Sequence, residues 1–235
     1  MVKKKFYKKW WIWAIAIVVV FGVVGSAGEA GKKATSNIKV AKNETSSTKE
    51  SPNNNVKKEE SIKENETRDN SSASETTLST GKFIVGEDIP AGRYICTSDS
   101  SGNFIVTNKN GLPIINEILG NDDLGVSKVT ADFKDGEKIE ISGIKNVHFT
   151  PAEAKVSNEL SAGSWVVGLD IEPGKYVAEV NNGQGNFVVY KNGFPTVNEI
   201  LDASGDMGVP NVTLKLEKGE IISISGLNQV VFNKN

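Results

Sequence analysis

Residue types that do chemistry are scarce in this chain: among 235 residues there is one His and one Cys. A single Cys, Cys96, excludes an internal disulfide framework and any Cys-rich zinc site. A single His, His148, excludes multi-His metal clusters and leaves few routes to a His-based triad. The remaining candidates are carboxylates. Two Asp-rich loops, Asn121-Asp122-Asp123 and the stretch from Asp202 to Asp206, offer oxygen ligands of the kind calcium takes, without EF-hand spacing. Turns use the same residues for backbone reasons. The paired carboxylates of a glycosidase are left open, since any two acids can meet in a fold, but no pair is singled out. Gly-rich phosphate loops and basic stripes are absent. With 27 Lys+Arg against 29 Asp+Glu, the net charge of −2 offers no general attraction to nucleic acid.

An internal repeat governs how these residues are positioned. GKFIVGEDIPAGRY from Gly81 matches GSWVVGLDIEPGKY from Gly163. GNFIVTNKNGLPIINEIL from Gly102 matches GNFVVYKNGFPTVNEIL from Gly185, and the segments from Gly125 and Gly208 match in turn. The copies occupy residues 81–151 and 163–235, with a connector at 152–162. Val129, Ala131 and Phe133 alternate with Thr130 and Asp132, and Val212, Leu214 and Leu216 do the same, which is the period of a half-buried strand. Asp135-Gly136 and Lys218-Gly219, then Asn110-Gly111 and Asn192-Gly193, mark hairpin turns. The NEIL stretches are short and flanked by β-rich sequence, so strand is favoured over a helical turn. The spacing predicts about seven short strands per copy and an antiparallel sandwich or jelly-roll-like module.

The opening Val85-Gly86, Asp88-Ile89, Gly92 and Tyr94 recurs as Val167-Gly168, Asp170-Ile171, Gly174 and Tyr176. This V-G-x-D-I-x-x-G-x-Y pattern resembles repeated β modules in membrane-anchored or secreted proteins of Gram-positive bacteria. The NEIL and ISG stretches share the resemblance, which covers both copies and not the residues before them. It implies a compartment and an architecture, and no activity.

Comparing the copies gives a test of function, because chemistry intrinsic to the module has to appear twice. His148 becomes Val231, so it reads as a strand-surface residue. Cys96 becomes Ala178, a small, semi-buried position with only Arg93 to activate a thiol. Asp88/Asp170 and Gly92/Gly174 are expected to shape one turn, Asp by bonding backbone N–H groups and Gly by tolerating positive φ. Asn116-Glu117 and Asn198-Glu199 are the shared polar pair with the strongest claim to something beyond packing. In a strand their side chains point to opposite faces, so one member of each pair either closes a buried network or stands out for a ligand.

Before the repeats come two other compositions. Five lysines within residues 1–9 precede an uncharged apolar run at 10–28. About 19 residues make a helix of ~28 Å, near the hydrocarbon thickness of a bilayer. The basic flank predicts a cytoplasmic N-terminus and repeats outside the cell, with Trp10, Trp11 and Trp13 at the interface. Gly25-Ser26-Ala27 leaves open a cleaved signal peptide and a secreted product. Residues 29–80 hold no aromatic side chain and read as a disordered tether, ~40 Å r.m.s. if flexible.

The sequence therefore predicts an all-β protein of two tandem antiparallel sandwich or jelly-roll-like repeats, preceded by one transmembrane helix and a disordered linker. No catalytic, cofactor-binding or metal residues and no cofactor are expected, and no nucleic-acid partner. The expected partners are the membrane, through the N-terminal helix, and an envelope polymer, peptide or protein. A carboxylate hydrolase and a purely structural or sensory ectodomain are the alternatives.

Overall fold

The computed structural model describes residues 68–120 and 125–235. The expected membrane helix and the tether up to residue 67 lie outside the described residues. Among those residues no helix is long and apolar enough to cross a membrane. The described chain is all-β, and both copies fall within one compact unit, Ser61–Asn235.

The first copy is built from β1 (Thr76–Ile84), β2 (Gly92–Ser98), β3 (Gly102–Thr107), β4 (Pro113–Leu119), β5 (Val129–Phe133) and β6 (Lys138–Pro151). The second has β7 (Glu159–Leu160), β8 (Gly163–Val166), β9 (Gly174–Glu179), β10 (Gln184–Lys191), β11 (Phe194–Asp202), β12 (Asn211–Leu216), β13 (Ile221–Ser225) and β14 (Val230–Lys234). The pairing register is conserved between copies: Phe104 lies opposite Ile141 as Phe187 lies opposite Ile224, and Cys96 opposite Phe149 as Ala178 opposite Phe232. The expected seven strands become six and eight for one reason. In the first copy β1 and β6 run unbroken through both of their ladders, with a register shift between Ser79 and Gly81. In the second copy the same path is divided into β7 with β8 and β13 with β14.

The strands form a ten-stranded and a four-stranded sheet. The larger runs β11-β10-β13-β8-β5-β2-β6-β3-β4, with β1 paired to β6, and the smaller runs β12-β9-β14-β7. All ladders are antiparallel except the join between copies, where β5 meets β8 in parallel at Thr130 and Gly163. Alternation sets which side chains enter the core: along β6, Ile139, Ile141, Val147 and Phe149 are buried between exposed or half-buried neighbours. Each copy fills its own core, one around Tyr94, Phe104, Phe133 and Phe149, the other around Tyr176, Phe187 and Phe232. Their rings meet edge to face, Tyr94 on Phe149 at 6.0 Å and Tyr176 on Phe232 at 6.0 Å.

Two boundaries differ from the sequence reading. Residues 76–80, expected in the tether, form the first half of β1, because Leu78 alone supplies the apolar anchor and the β6 backbone supplies the hydrogen bonds. The connector ends in β7, whose buried Leu160 occupies in the second copy the place of Leu78.

Candidate functional site at the junction of the repeats

The turn after β1 and its counterpart after β8 is built by the same residues in both copies. The Ile84 N–H donates to the Asp88 carboxylate at 2.7 Å, and the Val166 N–H to Asp170 at 2.8 Å. The Asp half of the expectation thus describes the structure. The glycine half holds in the first copy only: Gly92 has φ of 158° whereas Gly174 has an ordinary backbone, and Gly86 (92°) and Gly168 (95°) also take positive φ in this turn. Gly92 serves close approach as well, since a Cβ there would lie 2.7 Å from Asn70 Oδ1. Asn70 uses that access to accept from the Arg93 N–H (2.6 Å) and to donate to the carbonyls of Arg93 and Ala152.

The two aspartates then part company. Asp88 is exposed, whereas Asp170 is 1% exposed because it faces the first copy. Arg68 donates to both Asp170 oxygens, at 2.9 and 3.0 Å, and pairs with Asp132 at 2.7 Å. Arg93, itself 1% exposed, donates to Asp132 at 3.0 Å and to the Ser164 carbonyl at 3.2 Å, and its guanidinium lies 4.8 Å from the Trp165 ring centroid. Its other terminal nitrogen lies 3.4 Å from Asp170. Burial pushes the Arg93 pKa down, against the pull of Asp170 and Asp132. Two guanidinium and two carboxylate groups balance, and an arginine stays charged in any case. The Thr130 N–H donates to the Ala162 carbonyl at 2.9 Å, and the Ser127 N–H to the Asn228 side-chain oxygen at 2.8 Å, so further hydrogen bonds between the copies flank the polar cluster.

The shared NEIL pair is divided in the same way. Asn116 and Asn198 are both exposed, on the outer face of their strands. Glu117 is 7% exposed and accepts from the Gly226 N–H of the second copy at 3.1 Å; Glu199 stands in solvent. Burial raises the Glu117 pKa to about 6, against the Ser225 hydroxyl and the Gly226 N–H. A role found in one copy and free in the other is a role in joining the copies.

The remaining candidates are accounted for locally. Cys96 is fully buried rather than semi-buried, and burial pushes its thiol well above the ordinary range, which makes it inert. His148 stands on the sheet surface between Thr77 Oγ1 (3.1 Å from Nδ1) and Asp99 (2.9 Å from Nε2). This row has the composition of a hydrolase triad, yet His148 and Asp99 side chains are 43% and 44% exposed. A base so exposed on an open strand face lacks the water-excluding, oxyanion-stabilising surroundings that acyl transfer needs. Asp202 spends its carboxylate on its own loop, accepting from the N–H groups of Ser204 (2.9 Å) and Met207 (2.8 Å), which hold its pKa below the usual range. Asn121, Asp122 and Asp123 lie outside the described residues. Among the described residues no three His, Cys, Asp or Glu side chains group as metal ligands.

The chain matches no family model, no curated protein and no solved structure.

Arg68, Asp132 and Trp165 were not legible as site residues, and Arg93 appeared only as a weak neighbour of Cys96. A signal existed in the differences between copies rather than their identities. Arg93 and Asp132, opposite each other on β2 and β5, are replaced by Lys175 and Lys215, opposite each other on β9 and β12. A cross-strand Arg–Asp pair that turns into Lys–Lys marks a surface whose surroundings differ between the copies.

Proposed function

We propose that the chain is a single-pass, extracytoplasmic tandem-repeat module that binds an envelope polymer, peptide or protein and catalyses no reaction on it. The observation that carries this reading is the order of parts: a lysine-flanked apolar run, a polar stretch without aromatics, then one β module written twice. Each module is read as a sandwich with strands crossing between its faces, consistent with separate cores in the two copies. The use of Asp170, Asp202, Glu117 and the arginines in structural contacts supports a binding rather than a hydrolytic role. Two hairpin tips display apolar side chains, Leu112 at 61% and Phe194 at 75% exposure, at equivalent places in the two copies. Two equivalent tips on one head suit a repetitive ligand, because the second contact is made at high effective concentration.

Fractionation with protease shaving, then capture of envelope fractions by the purified full chain, tests the reading. Membrane retention, external access to the repeats and retention of one envelope component that is lost on changing Leu112 and Phe194 to Ser are expected. A mature N-terminus at Gly28 would replace the anchored form with a secreted one. Turnover of an envelope polymer by the chain would replace binding with hydrolysis.

A further inference from the structure

The contact between the repeats joins two different surfaces: the β2/β5 side of the first copy and the β8 side of the second. Because the copies are equivalent, each chain carries both surfaces a second time, and among the described residues both are uncovered. The β9/β12 side of the second copy ends the four-stranded sheet, with β12 as a free edge. The first copy's β1 pairs only with β6, so its other edge is free as well.

The uncovered surfaces retain the residues that the covered ones use. Thr130 and Glu117 are 5% and 7% exposed where the second copy covers them. Their counterparts are the same residue types, Thr213 and Glu199, and both are exposed. On the opposite side, Ser161, Gly163 and Asp170 are buried in the second copy. Their counterparts Ser79, Gly81 and Asp88 are again the same types; Ser79 and Asp88 are exposed and Gly81 half-exposed. An isolated surface has no reason to keep an unpaired Thr and Glu and an edge glycine in the positions that a junction requires.

The charges that differ are complementary. Within the chain Asp132 and Asp170 both present carboxylates, and Arg68 joins Arg93 in bridging them. On the free surface Lys215 replaces Asp132 beside Lys175, and the incoming counterpart of Asp170 is Asp88, next to exposed Glu87. Two lysines would meet two acids directly, so no third bridging residue is needed. The Ser127–Asn228 contact does not carry over, because Pro210 and Lys145 stand at those positions.

We propose that the chain docks head to tail onto further copies of itself, the free β9/β12 side of one second repeat taking the free β1 side of a neighbour's first repeat as β5 takes β8 within the chain. Such an interface is heterologous, so it propagates into a row or closes into a ring rather than stopping at a two-fold dimer.

Sedimentation of the full chain in detergent solution should show association that grows past the dimer with concentration. Lys175→Glu with Lys215→Glu should weaken it by roughly ten-fold or more, since acid then faces acid. Asp88→Asn, which keeps an acceptor for the Ile84 N–H, should weaken it to a smaller degree. Ser142→Cys and Glu199→Cys, the counterparts of the contacting Ser225 and Glu117, give a geometric test in chains whose own Cys96 is buried. A mixture of the two variants should cross-link under mild oxidation, while neither variant alone does so. Unchanged melting of each variant confirms that the fold is intact. A chain that stays monomeric up to sub-millimolar concentration overturns the proposal and leaves the lysines as guards of a free edge. So does cross-linking of either variant with itself, or association indifferent to the lysine reversals.

Discussion

Glu117 and Glu199 are the same residue in the same strand position, yet only Glu117 has left water. For a carboxyl whose folded pKa is raised to about 6, the folded state holds a proton that the unfolded state releases between the ordinary value and 6. Stability from this group is therefore greatest at acid pH and declines as pH rises through that window, by ~2 kcal/mol in total. Glu117→Gln should remove most of the decline and stabilise the chain near neutral pH, read as a difference in urea midpoints at pH 4.5 and 7. Glu199→Gln should change neither. Arg93 gives the opposite case, a buried cation whose removal leaves Arg68 alone against the Asp170 and Asp132 carboxylates. Arg93→Ala should cost about 3–5 kcal/mol of unfolding free energy. Lys175→Ala, at the exposed equivalent, should fall within about 0.5 kcal/mol of the parent.

Strand β1 shows how little apolar sequence an element needs when its partner is already in place. Residues 76–80 read as tether by composition, with one large apolar side chain, yet they ladder onto β6 from Thr76↔Phe149 to Ser79↔Asn146. Upstream, Asn70 and Arg68 are held by side-chain hydrogen bonds to the first copy and to Asp170. Limited proteolysis should consequently leave a resistant core that begins at or before Arg68, and mass spectrometry of the fragment reads the boundary. A core beginning at Gly81 would mean that these contacts do not protect the segment. The turn-closing glutamates make a related point. Glu137 and Glu220 accept the N–H of Lys134 and Glu217 across the Gly136 and Gly219 turns in both copies, a structural use for a shared acid that patterning alone does not reveal.

Across the whole molecule, two cores are coupled through one narrow junction. Gly163 is its tightest point: φ is 135°, and a Cβ would collide with the Thr130 carbonyl. Coupling of this kind predicts one cooperative unfolding transition for the described unit. Gly163→Ala should loosen the junction while leaving both cores filled. The expected result is two separated steps in urea, followed by near-UV circular dichroism and by fluorescence of Trp165, the tryptophan among the described residues.

Period-two alternation and the glycine-marked turns were enough to read an all-β chain from sequence, because strand formation depends on neighbours two residues apart and on local φ preference. The hairpins at Asn110-Gly111 and Asn192-Gly193 and the strand at NEIL were legible for that reason, as was the existence of two equivalent units. Which polar residues mattered was decided by tertiary structure. Asp88 and Asp170 are alike in their turn, and so are Glu117 and Glu199 in their strand; what separates them is whether another surface arrives to exclude water. Arg68 lies more than a hundred residues from Asp170, and no local pattern encodes a charge pair at that separation. Identity between the copies records what both modules share, in folding and in docking, whereas the exchanges Arg93/Lys175 and Asp132/Lys215 record where the copies face different neighbours, a distinction that only burial in the assembled fold makes visible.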